Sequence, residues 1–231
     1  MKSEQYNTRW TSPPYRYPDE SLATRMPSLR SAASARGSLV GPDWREYVFE
    51  ADLEAKAMKF YFAQSDFVSL IEQPEFVGYV NANGMEKRHT FDLLVTMKST
   101  ERFFVQVKPE LFVSESFIAE MSLIASQNGH RADWVEIFTD RNPHPNEIYN
   151  AELVMSVRRD PPSTLDGRIL ELLADTFGAV RISWIVGTFA DGAAFRAVVR
   201  LIDAGFLELV APGRITPQSL VKNSPEWSDE R

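Results

Sequence analysis

The 231-residue chain contains no cysteine. That excludes disulfides and thiolate metal sites and leaves oxygen and nitrogen donors for any metal chemistry; a reducing, cytoplasmic compartment is the expectation. No apolar run approaches the roughly 18 residues that a membrane helix needs. The first residues, MKSEQYNTRW, lack the apolar core of a secretory signal. No membrane association is therefore expected. A broad basic face is also missing. The formal net charge is -7, whereas a free-standing nucleic-acid binder usually neutralises phosphates with an excess of Lys and Arg.

What charge there is, is unevenly placed. Residues 1–45 carry seven Lys/Arg against four Asp/Glu, residues 46–150 nine against 17, and residues 151–231 nine against 11. A basic arm precedes an acidic middle, so a partner or the arm must supply affinity for DNA if DNA is the ligand. The arm, residues 1–43, is rich in Ser, Pro and Arg without a sustained period. It reads as mostly irregular, either a tail or a segment that orders on a partner.

Beyond it the pattern becomes regular, and 44 % hydrophobic content is enough for a sizeable core. Trp44 to Gln64 reads as a helix with Phe49, Leu53, Ala57 and Phe60 on one face. Glu50 and Glu54 lie at the edge of that face, within reach of a site at the core boundary or simply solvated. Residues 67–82 read as a strand, a break at Pro74 and a second strand, closed by the Asn83-Gly84 turn. After a central hairpin over 91–109, the spacing predicts a helix at 114–127, a strand at 132–139 and a helix at 146–158. This order predicts an α/β fold for residues 44–159, a mixed sheet flanked by helices. Asp160-Pro-Pro marks a boundary. Helices at 165–177, 182–189 and 191–204, then a short hairpin over 206–216, give residues 160–231 a winged-helix-like outline with a loose tail after Leu220. The third of those helices offers only Arg196 and Arg200 for reading DNA, so protein docking is the favoured role of this unit.

The central hairpin, FDLLVTMKSTERFFVQVKP, carries the candidate chemistry. Asp92 opens its first strand, and Gln106, Val107 and Lys108 close its second. Strand alternation puts Gln106 and Lys108 on one face and Val105 and Val107 on the other. A carboxylate, an amide and an amine thus meet at one end of a buried sheet. Asp, about a dozen residues, then Glu/Gln-x-Lys is the arrangement by which restriction-type nuclease folds hold a hard divalent metal beside a phosphodiester. Spacing alone is a loose signal, since any acidic hairpin ending in polar-x-Lys would match.

Several further elements match one family in order. Met26-Pro-Ser-Leu-Arg30 is similar to a short Pro-Ser-x-basic signature, and Glu50-Ala-Asp-Leu-Glu54 to a Glu-Ser-x-Leu-Glu helix start, with Ala51 in place of Ser. Glu72-Gln73-Pro74 matches a Glu-Gln-Pro element. Thr90-Phe91-Asp92-Leu-Leu-Val95 is similar to Thr-Pro-Asp-Phe-Leu-Val, with Phe91 in place of Pro, and Gln106-Val107-Lys108-Pro109 matches Gln/Glu-Val-Lys-Pro. Over about residues 25–140 the chain resembles TnsA-like endonuclease subunits of heteromeric transposases, within the restriction-endonuclease-like superfamily. The resemblance implies a metal-dependent nuclease that cuts double-stranded DNA at the ends of a mobile element. Its partners would be an integrase-type transposase subunit and an ATPase regulator at the C-terminal unit. It also implies the roles: Glu54, Asp92 and Gln106 for metal and Lys108 for the reacting phosphate.

The chemistry fits Mg²⁺, which takes oxygen ligands, keeps water and binds phosphate, with Mn²⁺ expected to substitute. The Val107 carbonyl would add an oxygen. Gln106, being neutral, leaves the site one negative charge short of a carboxylate version, so metal should bind weakly until a phosphate completes the shell. Lys108 would orient water or stabilise developing charge. His89, three residues before Asp92, is either a water-positioning group or an ordinary strand residue. Two other readings remain at this stage: a stand-alone restriction-like or defence nuclease, and a nuclease fold that no longer cuts and serves as an assembly module.

Overall fold

The computed structural model describes residues 16–24, 36–161, 163–174, 176, 178–189 and 192–225. The Met26–Arg30 signature, most of the arm and the tail after 225 lie outside them. The described chain is a mixed α/β structure. In order it forms β1 (Gly37–Val40), β2 (Glu46–Phe49), α1 (Asp52–Ala63), β3 (Phe67–Glu72), β4 (Val77–Val80), β5 (Glu86–His89), β6 (Leu93–Met97) and β7 (Arg102–Val107). Then come α2 (Glu115–Gln127), β8 (Trp134–Phe138), α3 (Pro145–Val157), α4 (Thr164–Ala174), β9 (Val180–Arg181), α5 (Ile182–Phe189), α6 (Ala193–Asp203), β10 (Leu207–Leu209) and β11 (Leu220–Asn223).

The central sheet has the order β3-β6-β7-β8, antiparallel except for the parallel β7–β8 pair. That parallel pairing requires a crossover, and α2 supplies it. Ser114 starts α2 by accepting a hydrogen bond from the Phe117 N–H. One face of the sheet packs on α1: Ala57, Met58, Tyr61 and Phe62 meet Leu70, Leu93, Val95, Phe103, Val105 and Phe138. The other packs on α2: Met121 and Ile124 meet Leu94, Phe104 and Phe91. The central strands are covered on both sides, which is why β6 and β7 read as nearly continuous apolar runs.

Four expectations are corrected. The helix expected from Trp44 begins only at Asp52. Glu46-Tyr-Val-Phe alternates, with Tyr47 and Val48 buried, and pairs with β1 as a strand. The backbone of Ala51 is extended, so the helix cannot reach further back. Its buried stripe is therefore Ala57, Met58, Tyr61 and Phe62 rather than the one through Phe49 and Phe60. The tail expected to be loose after Leu220 begins instead with β11, in which Val221 is buried in the core. β5 was not expected: Glu-Lys-Arg-His is largely exposed and shows no apolar alternation, yet it pairs with β4 across the Asn83-Gly84 turn, where Gly84 takes a φ of 77°. Finally, β10 pairs with β11 and not with Arg214–Thr216, and the short β9 completes a three-stranded sheet.

Candidate active site

β6 and β7 pair with Leu93 opposite Val105. Continued by one residue, that register sets Asp92 opposite Gln106 at the end of the hairpin. There the Asp92 Oδ2 accepts from the Val107 N–H at 2.7 Å and from the Gln106 Nε2 at 2.5 Å. The Gln106 Oε1 in turn lies 2.7 Å from the His89 Nε2. Asp92, Gln106, Val107 and His89 thus form one hydrogen-bonded group. An amide oxygen 2.5 Å from a carboxylate oxygen would be repelled, so the amide must present its nitrogen to Asp92 and its oxygen to His89. The His89 Nε2 then carries the proton. The ring of His89 stands edge-on to Phe91, which stacks on Phe104 in the core beneath.

Alternation places Lys108 on the Gln106 side as expected. Its Nζ lies 4.2 Å from the centre of the Phe117 ring on α2, a cation–π contact, and its backbone N–H is held by the Phe138 carbonyl. Val107 faces the α1 side and packs on that core. Glu54 sits in the first turn of α1, where its Oε2 accepts from the Glu50 N–H at 2.8 Å. That bond ties the Glu50 backbone, just ahead of the N-cap Ala51, to the first turn, and the carboxylate also suits the positive end of the helix dipole. Half-buried Glu54 therefore has a structural duty besides any metal role.

Glu72-Gln73-Pro74, matched in sequence without a role, is a tie point between β3, the N-terminal segment and Asp92. Glu72 is fully buried; its Oε2 pairs with Arg45 Nη1 at 3.2 Å and its Oε1 accepts from Ser21 Oγ at 2.5 Å. Arg45 also donates to the Leu70 carbonyl. Gln73, at a positive φ of 41°, donates its N–H to the Asp92 carbonyl at 2.7 Å and accepts from both Thr24 N–H and Thr24 Oγ1. Such a φ costs a non-glycine residue energy and persists only where neighbours over-determine it. The backbone of Asp92 is thereby fixed from both strands beside it. The Arg45–Glu72 pair has no counterpart in the sequence pattern, because the burial that makes each need a partner appears only in the fold.

The oxygen-only donors of Asp92, Gln106, Glu54 and the Val107 carbonyl suit a hard cation such as Mg²⁺. Among the described residues no three His, Asp or Glu side chains gather as a metal site, and the candidate set itself counts only two acids. In the observed orientation Gln106 offers Asp92 a donor, so its amide must turn before its oxygen can ligate.

The C-terminal unit is tied to α3. Arg196 binds Asp160 through both carboxylate oxygens, and Arg200 bridges Asp160 and Asp166. Arg196 pulls the Asp160 carboxyl below its usual range. The loop between β10 and β11 is held by Asn150 of α3, which donates to the Gly213 carbonyl and accepts from the Ile215 N–H. Both α6 arginines are spent on intramolecular ion pairs.

No protein-family model matches the chain, and no curated protein matches it, so the geometry above carries the functional argument.

Proposed function

We propose that the protein is a Mg²⁺-dependent DNA endonuclease, the strand-cutting subunit of a heteromeric transposase, with a restriction-endonuclease-like core. The observation that carries this is the convergence of Asp92, Gln106 and the Val107 N–H at the end of the β6–β7 hairpin, with Lys108 following on the Gln106 face. When bound, Mg²⁺ would polarise the phosphodiester and supply an activated water. Asp92, fixed by the Val107 N–H and the strained Gln73, is the anchoring carboxylate, and Glu54 is the second acid at the start of α1. Lys108 holds a positive charge where charge gathers on the phosphoryl oxygens.

The element order and strand order of residues 164–223 support a winged-helix-like unit. Its third helix is almost wholly buried or ion-paired against α3 and α4, which supports docking of a protein, the ATPase regulator of the proposed assembly, over reading of DNA. An integrase-type transposase encoded beside this chain would strengthen the reading.

The test is nicking of supercoiled plasmid in Mg²⁺ and Mn²⁺, with and without that neighbouring subunit, alongside Mg²⁺ uptake by calorimetry. Asp92→Asn keeps an acceptor for Val107 and is expected to leave the fold intact while abolishing both cleavage and the uptake. Undiminished cleavage by the folded variant would end the assignment. Mg²⁺ uptake that depends on Asp92, but no cleavage in any combination, would favour the non-cutting module instead; the amide nitrogen turned to Asp92 gives that reading its footing.

A further inference from the structure

We propose that His89 and Gln106 form a two-position pair, in which His89 sets which end of the Gln106 amide faces Asp92 and changes tautomer when a cation enters. The inference rests on the nuclease reading above. In the observed position the His89 Nε2–H donates to the Gln106 Oε1 and the Gln106 Nε2 donates to Asp92. For the amide oxygen to become a ligand, the amide must turn by half a revolution about its last bond. Its NH₂ then faces His89, and a donor facing an N–H is a clash. An imidazole resolves this because one of its nitrogens donates and the other accepts. The proton leaves Nε2 for solvent and another is taken up at Nδ1, so one N–H bond breaks, one forms and the ring stays neutral.

The surroundings suit an exchange without movement of the ring. His89 ends β5, its backbone register fixed opposite Val77, and its ring is braced edge-on by Phe91 at 4.6 Å between centroids. The pair also accounts for an amide at position 106. A carboxylate there has no donor for Asp92, and two acids so close would repel until a cation arrived. Gln106 gives Asp92 a hydrogen-bond donor in the resting site, then trades that bond for ligation. His89 is thus a positioning residue, acting on the cation through Gln106.

The experiment follows the imidazole ¹⁵N resonances of His89 during a Mg²⁺ titration, with and without a short DNA duplex, at about pH 8.5, where an imidazole is ordinarily neutral. Calorimetry of the same samples reports uptake. Wild-type protein is expected to pass from mainly Nε2–H to mainly Nδ1–H as Mg²⁺ saturates. Asp92→Asn should neither take up Mg²⁺ nor change tautomer. In Gln106→Glu, position 106 only accepts, so His89 should remain Nε2–H throughout. Asp92-dependent Mg²⁺ uptake with His89 fixed as Nε2–H in the wild type would overturn the pair and leave the nuclease reading standing. Absence of any Asp92-dependent uptake would overturn both.

Discussion

Single residues in this protein are held by charge in places where the sheet offers no water. Arg45 is 7 % exposed and Glu72 is 0 %; Glu72 finds its charge partner in Arg45, which also pairs with half-exposed Asp43 at 3.4 Å. Removing one partner of a buried ion pair leaves an uncompensated charge, which typically costs about 3–5 kcal/mol. Glu72→Ala is expected to destabilise by that order in denaturant unfolding, and Glu72→Gln by less, since its oxygen can still accept from Arg45 while its NH₂ donates to the Ser21 hydroxyl. Equal midpoints for wild type and Glu72→Ala would show the pair to be idle. Glu136 on β8 has the opposite sign. Burial raises its carboxyl above the usual range, and it faces the buried Tyr61 hydroxyl without closing a hydrogen bond. A raised folded value means that stability falls as pH climbs from the ordinary carboxyl value through the folded one. Glu136→Gln should therefore melt above wild type at about pH 7 to 8, and the gap should close as both carboxyl forms become protonated near pH 4. At this scale strand alternation put Gln106 and Lys108 on one face, while the spacing pattern and the family resemblance singled out Asp92 and gave the residues their expected roles. The sequence could not show Arg45–Glu72 or His89–Gln106, because residues 27 and 17 apart meet only once the strands are registered.

Elements were legible where one period ran uninterrupted. β6, β7, α2 and α5 lie within a residue or two of expectation because apolar spacing and turn residues agree there. β5 was missed because its Glu-Lys-Arg-His has no apolar face to display, β11 because it shows only Val221 to the core among polar neighbours, and β2 was absorbed into α1 because apolar residues spaced by four mimic a helix. The outline of the C-terminal unit was readable, but its attachment was not, since that depends on Asp160, Arg196 and Asn150 meeting across elements. Asp160 gives this attachment a pH dependence. Its carboxyl is depressed by Arg196, so the stabilisation is complete above the ordinary carboxyl value and is lost as pH falls through the folded one. Hydrogen exchange of α6 and of the 210–219 loop should accelerate below about pH 3.5 before that of β6 and β7. Asn150→Ala should loosen the same loop at neutral pH. Simultaneous acceleration of sheet and α6 would show that the unit has no separate attachment.

Across the whole molecule the expected boundary at 159/160 does not divide the core. Val154 and Val157 of α3 are buried in the same cluster as Ile169, Ile182, Val198 and Val221, while Ile148 of the same helix belongs to the core beneath α1. α3 therefore serves two cores at once, and cutting the chain after it would expose apolar surface on both pieces. The N-terminal end is tied down in a similar way. Asp19 exchanges backbone bonds with Trp44 and Glu46, Ser21 reaches Glu72, and Thr24 reaches Gln73 beside Asp92. Deleting the basic arm is thus two experiments. Removing residues 1–15 takes away Lys2 and Arg9 and spares these bonds. If those two charges meet phosphate in the assembled complex, the log-log salt dependence of cleavage should flatten by up to about two units. Removing residues 1–24 also strips Ser21 from Glu72 and Thr24 from Gln73, so stability should fall by about 1–3 kcal/mol, with looser exchange protection at Asp92 and Val107. A 1–24 deletion as stable as the full chain would mean that this strap adds nothing to the site. Superimposed salt curves for the full chain and the 1–15 deletion would show that Lys2 and Arg9 meet no phosphate.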